Sequence, residues 1–307
     1  MTALAPPHDV ETTPPVTVAA PAPSRRTGSR SSWLALAPFV VYTTLCLGLP
    51  TWALIYESLR RTDPATQQTS FTWANLTTAW HGFYLTALWG SVKLSLITAL
   101  ISVIVGLIAG YAIVTSRGTV GKQLVLALSG VLANFGGIPL AFCFIATIGT
   151  AGEAVNLVHK VAPDFALDTF TGVVAVYPYF LVPLMVLVIV PTLEGLRPQW
   201  REAARNLGAS TWQFWRYVGL PVLAPALLGG FVLTFGGAFA AYATAKALTG
   251  GTVPLITLRI ASVISGNVLA GQENVGAAMS INMIIICGIV MAIYLPLQKR
   301  SARWLQA

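Results

Sequence analysis

Charge is scarce in this sequence: 9% of its 307 residues are Asp, Glu, Lys or Arg, against roughly a quarter in an ordinary soluble domain. Together with 55% hydrophobic residues, that shortage excludes the pair of water-solvated domains the length alone would suggest. Cysteine is nearly absent too. Cys46, Cys143 and Cys287 each lie inside an apolar stretch, with neither the pairing of a disulfide framework nor a CxxC metal spacing, and are expected to be small apolar packers. Histidine is limited to His8, His81 and His159, too few and too scattered for a metal centre. No phosphate loop of the form G-x-x-x-x-G-K-[ST] occurs: Gly118-Thr119-Val120-Gly121-Lys122-Gln123 has the wrong spacing and lacks the hydroxyl residue. There is no G-x-S-x-G elbow and no HExxH helix. Catalysis within this chain is therefore not expected, and neither is a cofactor or metal.

What is present is long apolar sequence. Six blocks, near 33–56, 85–115, 123–150, 169–193, 222–245 and 274–297, reach the ~20 residues needed to cross a bilayer core. A chain in lipid must satisfy its own backbone hydrogen bonds, and these blocks are far longer than barrel strands. The expected fold is all-α, a polytopic bundle of six transmembrane helices spanning 33–297. Residues 1–32, with six prolines and no large aromatic residue, read as a disordered tail; residues 298–307 read as a short C-terminal tail. Arg25-Arg26 ahead of the first block resembles a targeting signal, but the block is long enough to span and no cleavage site follows, so it reads as an uncleaved helix.

The net charge of +8 sits mostly beside block ends, where it sets orientation and meets lipid headgroups; nucleic acid is not an expected partner. With the N-terminus inside, the inner side holds Arg25, Arg26, Arg30, Arg117, Lys122, Arg197, Arg201, Arg205, Arg216, Lys299, Arg300 and Arg303. The outer side holds Arg60, Arg61, Lys160 and Arg259. This bias predicts both termini in the cytoplasm. Prolines and glycine pairs inside the blocks, among them Pro38, Pro50, Gly136-Gly137, Pro183 and Gly229-Gly230, predict kinks and close helix approaches.

The longest inner connection, 194–221, carries the most specific signal. Pro198 suits a first helical position, and Trp200, Ala203, Ala204 and Leu207 recur at helical spacing. Gly208 suits a left-handed cap, and Ser210 with Gln213 forms a capping-box pattern. A second short helix then presents Trp212, Phe214, Trp215 and Tyr217, and Leu220-Pro221 opens the next span. Exposed aromatics on an inner hairpin call for a covering partner.

Glu202-Ala203-Ala204, three residues, Gly208, nine residues, then Val218-Gly219-Leu220-Pro221 resembles the EAA motif of permease subunits of binding-protein-dependent ABC importers with a MetI-like fold. Val218 stands where that family usually has isoleucine. The resemblance implies a subunit of an ATP-driven importer in a prokaryotic cytoplasmic membrane. A separate ATP-binding subunit, itself holding ATP and magnesium, would grip Glu202, Ala203, Ala204, Leu207, Gly208, Trp212, Leu220 and Pro221. A second permease, more in keeping with a heterodimer than a homodimer, and an extracytoplasmic solute-binding protein at outer loops 57–84, 151–168 and 247–273 are implied as well. Phe239-Ala240-Ala241-Tyr242, Gly250-Gly251 and the segment 253–271 look similar to importers of polyamines, iron, thiamine, sulfate or phosphonates. Lys93, Asn134, Tyr242 and Asn282 are the candidates for a solute path, although Lys93, about 12 Å into its span at 1.5 Å per residue, and Lys246 also suit snorkelling to the interface. The rival expectation, a stand-alone secondary transporter or channel, calls for ion-coupling carboxylates inside the spans, and the blocks contain none.

Overall fold

The computed structural model describes residues 29–62, 68–116, 118–150, 152–267, 272 and 274–302. The expected tail through residue 28 and the last residues, 303–307, lie outside them, as do Arg117 and Arg303. The chain forms two compact units, divided after Pro50. In the first, α1 (Ser29–Thr43) leads into a π segment (Thr44–Gly48). Helix α2 (Leu49–Ser58) follows across the division.

The second unit continues with a small hairpin, β1 (Arg60–Thr62) and β2 (Thr69–Phe71), paired antiparallel with Arg61 opposite Ser70. The buried amide of Asn75, in α3 (Ala74–Ala79), donates to the carbonyls of Ser58 and Arg60, and Asn274 donates to Arg60 as well. Arg60 itself pairs with Glu57 at 3.1 Å and lies over the Tyr56 ring. This arginine, expected on the outer side, is thus partly neutralised where it stands.

Next come α4 (Gly82–Thr115), α5 (Thr119–Asn134), α6 (Ile138–Ile148), α7 (Val155–Val161), α8 (Phe170–Val176) and α9 (Pro178–Glu194). After them come α10 (Pro198–Asn206), α11 (Thr211–Phe214), a second π segment (Trp215–Gly219), α12 (Leu220–Ala240), α13 (Ala243–Thr249), α14 (Ile256–Ile264) and α15 (Val275–Ala302). Five continuous helical stretches are long and apolar enough to cross a membrane: Leu36–Ser58, Gly82–Thr115, Phe170–Glu194, Thr211–Ala240 and Val275–Arg300. The third expected span is not one helix: α5 and α6 meet at a 100° bend. Its cause is local, since Gly136-Gly137 precedes Pro139 and Gly137 adopts φ +83°, which residues with a Cβ avoid. The fifth expected span is also interrupted, at Ala241-Tyr242, before α13 resumes.

Helix α4 packs against α9 and α12. Its buried stripe is small and hydroxylated, and Ser95, Thr98 and Ser102 return their hydroxyls to carbonyls one turn back, so no polar group is stranded. A Cβ on Gly106 would lie 2.6 Å from Met185, and one on Gly110 would lie 2.8 Å from Ile189. Contacts that advance in step along both helices mean α4 and α9 run in the same direction. The chain between them must therefore return across the apolar layer, and the bent α5–α6 pair supplies that crossing, giving six. On α12 and α15 the order reverses, Gly229 lying against Tyr294 while Phe235 and Ile286 share a groove. The last turns of α4, α9 and α15 and the start of the Thr211–Ala240 helix consequently share one face. Lys122, Arg197, Arg201, Arg205, Arg216, Lys299 and Arg300 gather there.

Cys46, Cys143 and Cys287 are exposed rather than packed; all three stand on helix faces the chain itself leaves uncovered. For the α4–α9 contact, Gly106→Val is expected to lower stability by about 1–3 kcal/mol through overpacking. Gly236→Ala, which meets nothing within 4 Å, should gain roughly 0.5–1 kcal/mol. Thermal unfolding in mild detergent measures both, and equal effects would refute the close-approach argument.

Candidate functional site: an amphipathic hairpin and two broken helices

The hairpin forms as its residues dictate. Pro198 opens α10, Gly208 takes φ +78°, and Ser210 caps α11 with both halves of the box made, Gln213 N to Ser210 Oγ at 3.2 Å and Ser210 N to Gln213 Oε1 at 2.7 Å. The second helix does not stop before the span, however. It runs through the π segment into α12 as one 30-residue helix. Pro221 has no N–H and its ring crowds the carbonyl four residues back, and widening the helix to i→i+5 bonding just before it relieves both. Both π segments end at the glycine that opens the same tripeptide, Gly48-Leu49-Pro50 and Gly219-Leu220-Pro221.

At 3.6 residues per turn, α10 divides into unlike faces. Trp200, Ala203 and Leu207 share one side, and Leu207, 87% exposed, continues into Trp212, 68%, and Tyr217, 70%. Arg197, Arg201 and Arg205 share another, which with Glu202 turns toward a cavity under the hairpin. Glu202 thus stands apart from the ridge side of Ala203, and no ion pair joins it to Arg205. Ala204 is half-buried, its carbonyl accepting from Ala209 N at 2.9 Å. Leu220 is exposed and Pro221 half-buried at the head of α12. Phe214 is buried, and Trp215 packs edge-on to Tyr111 at 5.3 Å, anchoring the hairpin to the end of α4. Lys122 pairs with Glu194 across the same face.

The second cluster joins the two helix breaks. Gly137 N donates to Thr244 Oγ1 at 2.8 Å, and Thr244 donates back to the Gly137 carbonyl at 3.3 Å. The buried Tyr177 hydroxyl donates to the Ala241 carbonyl at 3.1 Å. Asn134 and Tyr242 flank these breaks and are exposed, the Asn134 amide donating to Gly130 O. Two of the four expected path residues therefore sit at one junction. The other two lie elsewhere. Lys93 is exposed on the Trp89, Leu96 and Leu100 side of α4. Asn282 is fully buried on α15, and neither of its amide atoms has a hydrogen-bond partner among the described residues. Lys246 donates to the Gly250 carbonyl at 2.9 Å, closing its own helix end.

Sequence reasoning gave Thr244 and Tyr177 no role. Only the neighbouring Gly136-Gly137 and Phe239-Ala240-Ala241-Tyr242 signals marked the breaks they serve. Arg259, counted there simply as an outer charge, lies 4.0 Å over the Phe83 ring with its Nε buried and unpartnered among the described residues.

A six-crossing bundle with a capped amphipathic hairpin at one face is the scaffold of a membrane permease. Residues 102–303 match the family described as binding-protein-dependent transport system inner membrane component, and the chain belongs to that family. It is similar to the sulfate transport system permease protein CysT of Escherichia coli, 40% identical over 67 residues, 22% of this chain and 24% of that protein. It is also similar to the spermidine/putrescine transport system permease protein PotB of Haemophilus influenzae, 31% identical over 134 residues, 43% and 46% of the two chains. These matches span less than half of either relative. PotB of Escherichia coli is 26% identical over 267 residues, 84% of this chain and 94% of that one. In three dimensions the chain resembles one from the crystal structure of a bacterial ABC transporter involved in the import of the acidic polysaccharide alginate. The TM-score is 0.64 at 16% identity, covering 89% of this chain and 96% of that chain.

Two substitutions test the interior. Thr244→Val leaves the Gly137 N–H unpaired and should cost about 1–3 kcal/mol, whereas Thr244→Ser should cost much less; equal losses would mean the hydroxyl is not the tie. Asn282→Leu removes an unpaired buried amide and should leave stability unchanged or raised by about 1–3 kcal/mol. A marked fall in the unfolding temperature would show that the amide has a partner after all.

Proposed function

We propose that this chain is a permease subunit of an ATP-driven importer in a prokaryotic cytoplasmic membrane, with the hairpin face and both termini in the cytoplasm. The observation that carries the reading is the exposed apolar ridge of Trp200, Ala203, Leu207 and Trp212 on a hairpin held rigid by a made capping box. A ridge of that kind suits the groove of a partner, and the partner is a separate ATP-binding subunit, which holds ATP and magnesium. Gly208 sets the turn, while Leu220 and Pro221 join the hairpin to α12, so a push on the ridge reaches a span without crossing a flexible loop.

A second permease subunit, in a heterodimer rather than a homodimer, covers apolar faces the chain leaves open, and an extracytoplasmic solute-binding protein meets the opposite face. The solute path follows the broken-helix junction, with Asn134 and Tyr242 at its edge; Lys93 lies on another exposed face and Asn282 in the interior. The solute is a small compound, such as a polyamine, a metal ion or an oxyanion. Several supports converge: the family membership, the positive charge gathered at the hairpin face, and the absence of a carboxylate from the interior of the described spans, Glu57 and Glu194 standing at span ends, where a stand-alone ion-coupled carrier would need one deeper in.

The test uses the intact importer. Leu207→Glu with Trp212→Glu should abolish co-purification of the ATPase and reduce solute uptake at least about tenfold, since each buries a charge in an apolar contact, with the chain still reaching the membrane at its normal level. Undiminished ATPase capture by this variant would sink the coupling role.

A further inference from the structure

The cavity beneath α10 has a chemistry that docking on the ridge does not use. Its volume is about 420 Å³. One wall is basic: Arg201 and Arg205 stand one turn apart on α10, and Arg197, the extended residue before its first turn, lines the same cavity. The floor is hydrocarbon and aromatic, formed by Tyr111 near the end of α4, Leu193 and Leu196 at the end of α9, and Trp215 of the π segment. Three guanidinium groups face a single carboxylate, Glu202, and none of the four forms an ion pair with a described residue. Lys122 is already engaged with Glu194.

Position narrows the occupant. Helices α4 and α9 run in the same direction and both end at this cavity, which places it where two spans leave the apolar layer. A free phosphate would satisfy the arginines but leave the aromatic floor wet. A protein segment reaching the same groups would have to pass beneath α10, while the apolar ridge that invites a protein lies on its other side. A phosphodiester with attached acyl chains meets both halves at once: arginine forks match phosphate oxygens, Trp and Tyr favour the interfacial depth, and basic pockets at the ends of spans hold acidic headgroups.

We propose that this cavity is a headgroup site for an acidic phospholipid, its phosphate held by Arg197, Arg201 and Arg205 and its chains leading from the Tyr111–Trp215 floor into the bilayer. The bound lipid fills the space behind α10 and stiffens the hairpin against the load placed on its ridge. The site depends on the fold and its place at the membrane boundary, not on which solute is carried.

Native mass spectrometry of the full-length chain, purified in mild detergent with its accompanying subunits and offered equal phosphatidylglycerol and phosphatidylcholine, tests this directly. The unmodified protein should retain phosphatidylglycerol at least about fivefold over phosphatidylcholine, given the contribution of each basic residue near an anionic headgroup. The triple change Arg197→Gln, Arg201→Gln, Arg205→Gln should bring the ratio to about one. The corresponding triple change to lysine should keep most of the preference, as a control for folding, and Trp200→Ala with Leu207→Ala on the far face should leave it intact. A ratio near one in the unmodified protein, or one unaltered by the glutamine changes, would overturn the proposal. So would displacement of the lipid by inorganic phosphate alone, which would make it a site for a free anion, or retention of the lipid only after the ATP-binding subunit has been stripped away, which would assign the pocket to a protein partner.

Discussion

A helix inside lipid has no water with which to repair a broken backbone hydrogen bond, so every interruption must bring its own partner. This chain interrupts two of its crossings, at Gly137 and at Ala241, and the repairs come from elsewhere in the fold. Thr244, just past the second break, serves the first, while Tyr177, at the joint between α8 and α9, serves the second. Reciprocal bonding of this sort ties three crossings to one another through single hydroxyl groups. It also leaves non-helical backbone at Gly137 and Ala241 next to the exposed Asn134 and Tyr242.

The same constraint explains the Gly-Leu-Pro tripeptides. A proline inside a span removes a donor and crowds a carbonyl, yet a full break after residue 219 would disconnect the hairpin from α12. The π segment solves this by widening the helix for one turn, so that Thr211 to Ala240 remains a single rod. Trp215 anchors this rod against Tyr111. The hairpin on which it begins is held by caps rather than by bulk, and α10 divides its surface between an apolar ridge and a basic wall. One short helix thereby presents two chemically different surfaces that share no side chain.

Much of this was legible in the sequence because it rests on local rules. Pro198, Gly208, Ser210 and Gln213 each act through neighbours within a turn, and all stand where spacing puts them. The blocks of apolar residues likewise gave the number of crossings. What the sequence left open was long-range. A 100° bend at Gly137 and a continuous helix through Pro221 come from nearly the same ingredients, glycine close to proline. At the bend a distant hydroxyl, Thr244, pairs with the Gly137 backbone, whereas before Pro221 a local change of helix pitch keeps the helix continuous. Asn282 and Lys93 were equivalent as polar residues in apolar blocks, and only packing separates a fully buried amide from an exposed ammonium.

Selectivity has a physical reason for being less legible than architecture. Relatives similar to this chain are named for sulfate, an anion, and for spermidine and putrescine, which are cations. A scaffold shared across opposite charges cannot owe its packing to the charge of what it carries. The described spans fit that view, since their polar groups are mostly hydroxyls and amides bonded to backbone rather than to one another. Arg259 is the departure, a guanidinium stacked on Phe83 with a buried and unpartnered Nε at the face opposite the hairpin.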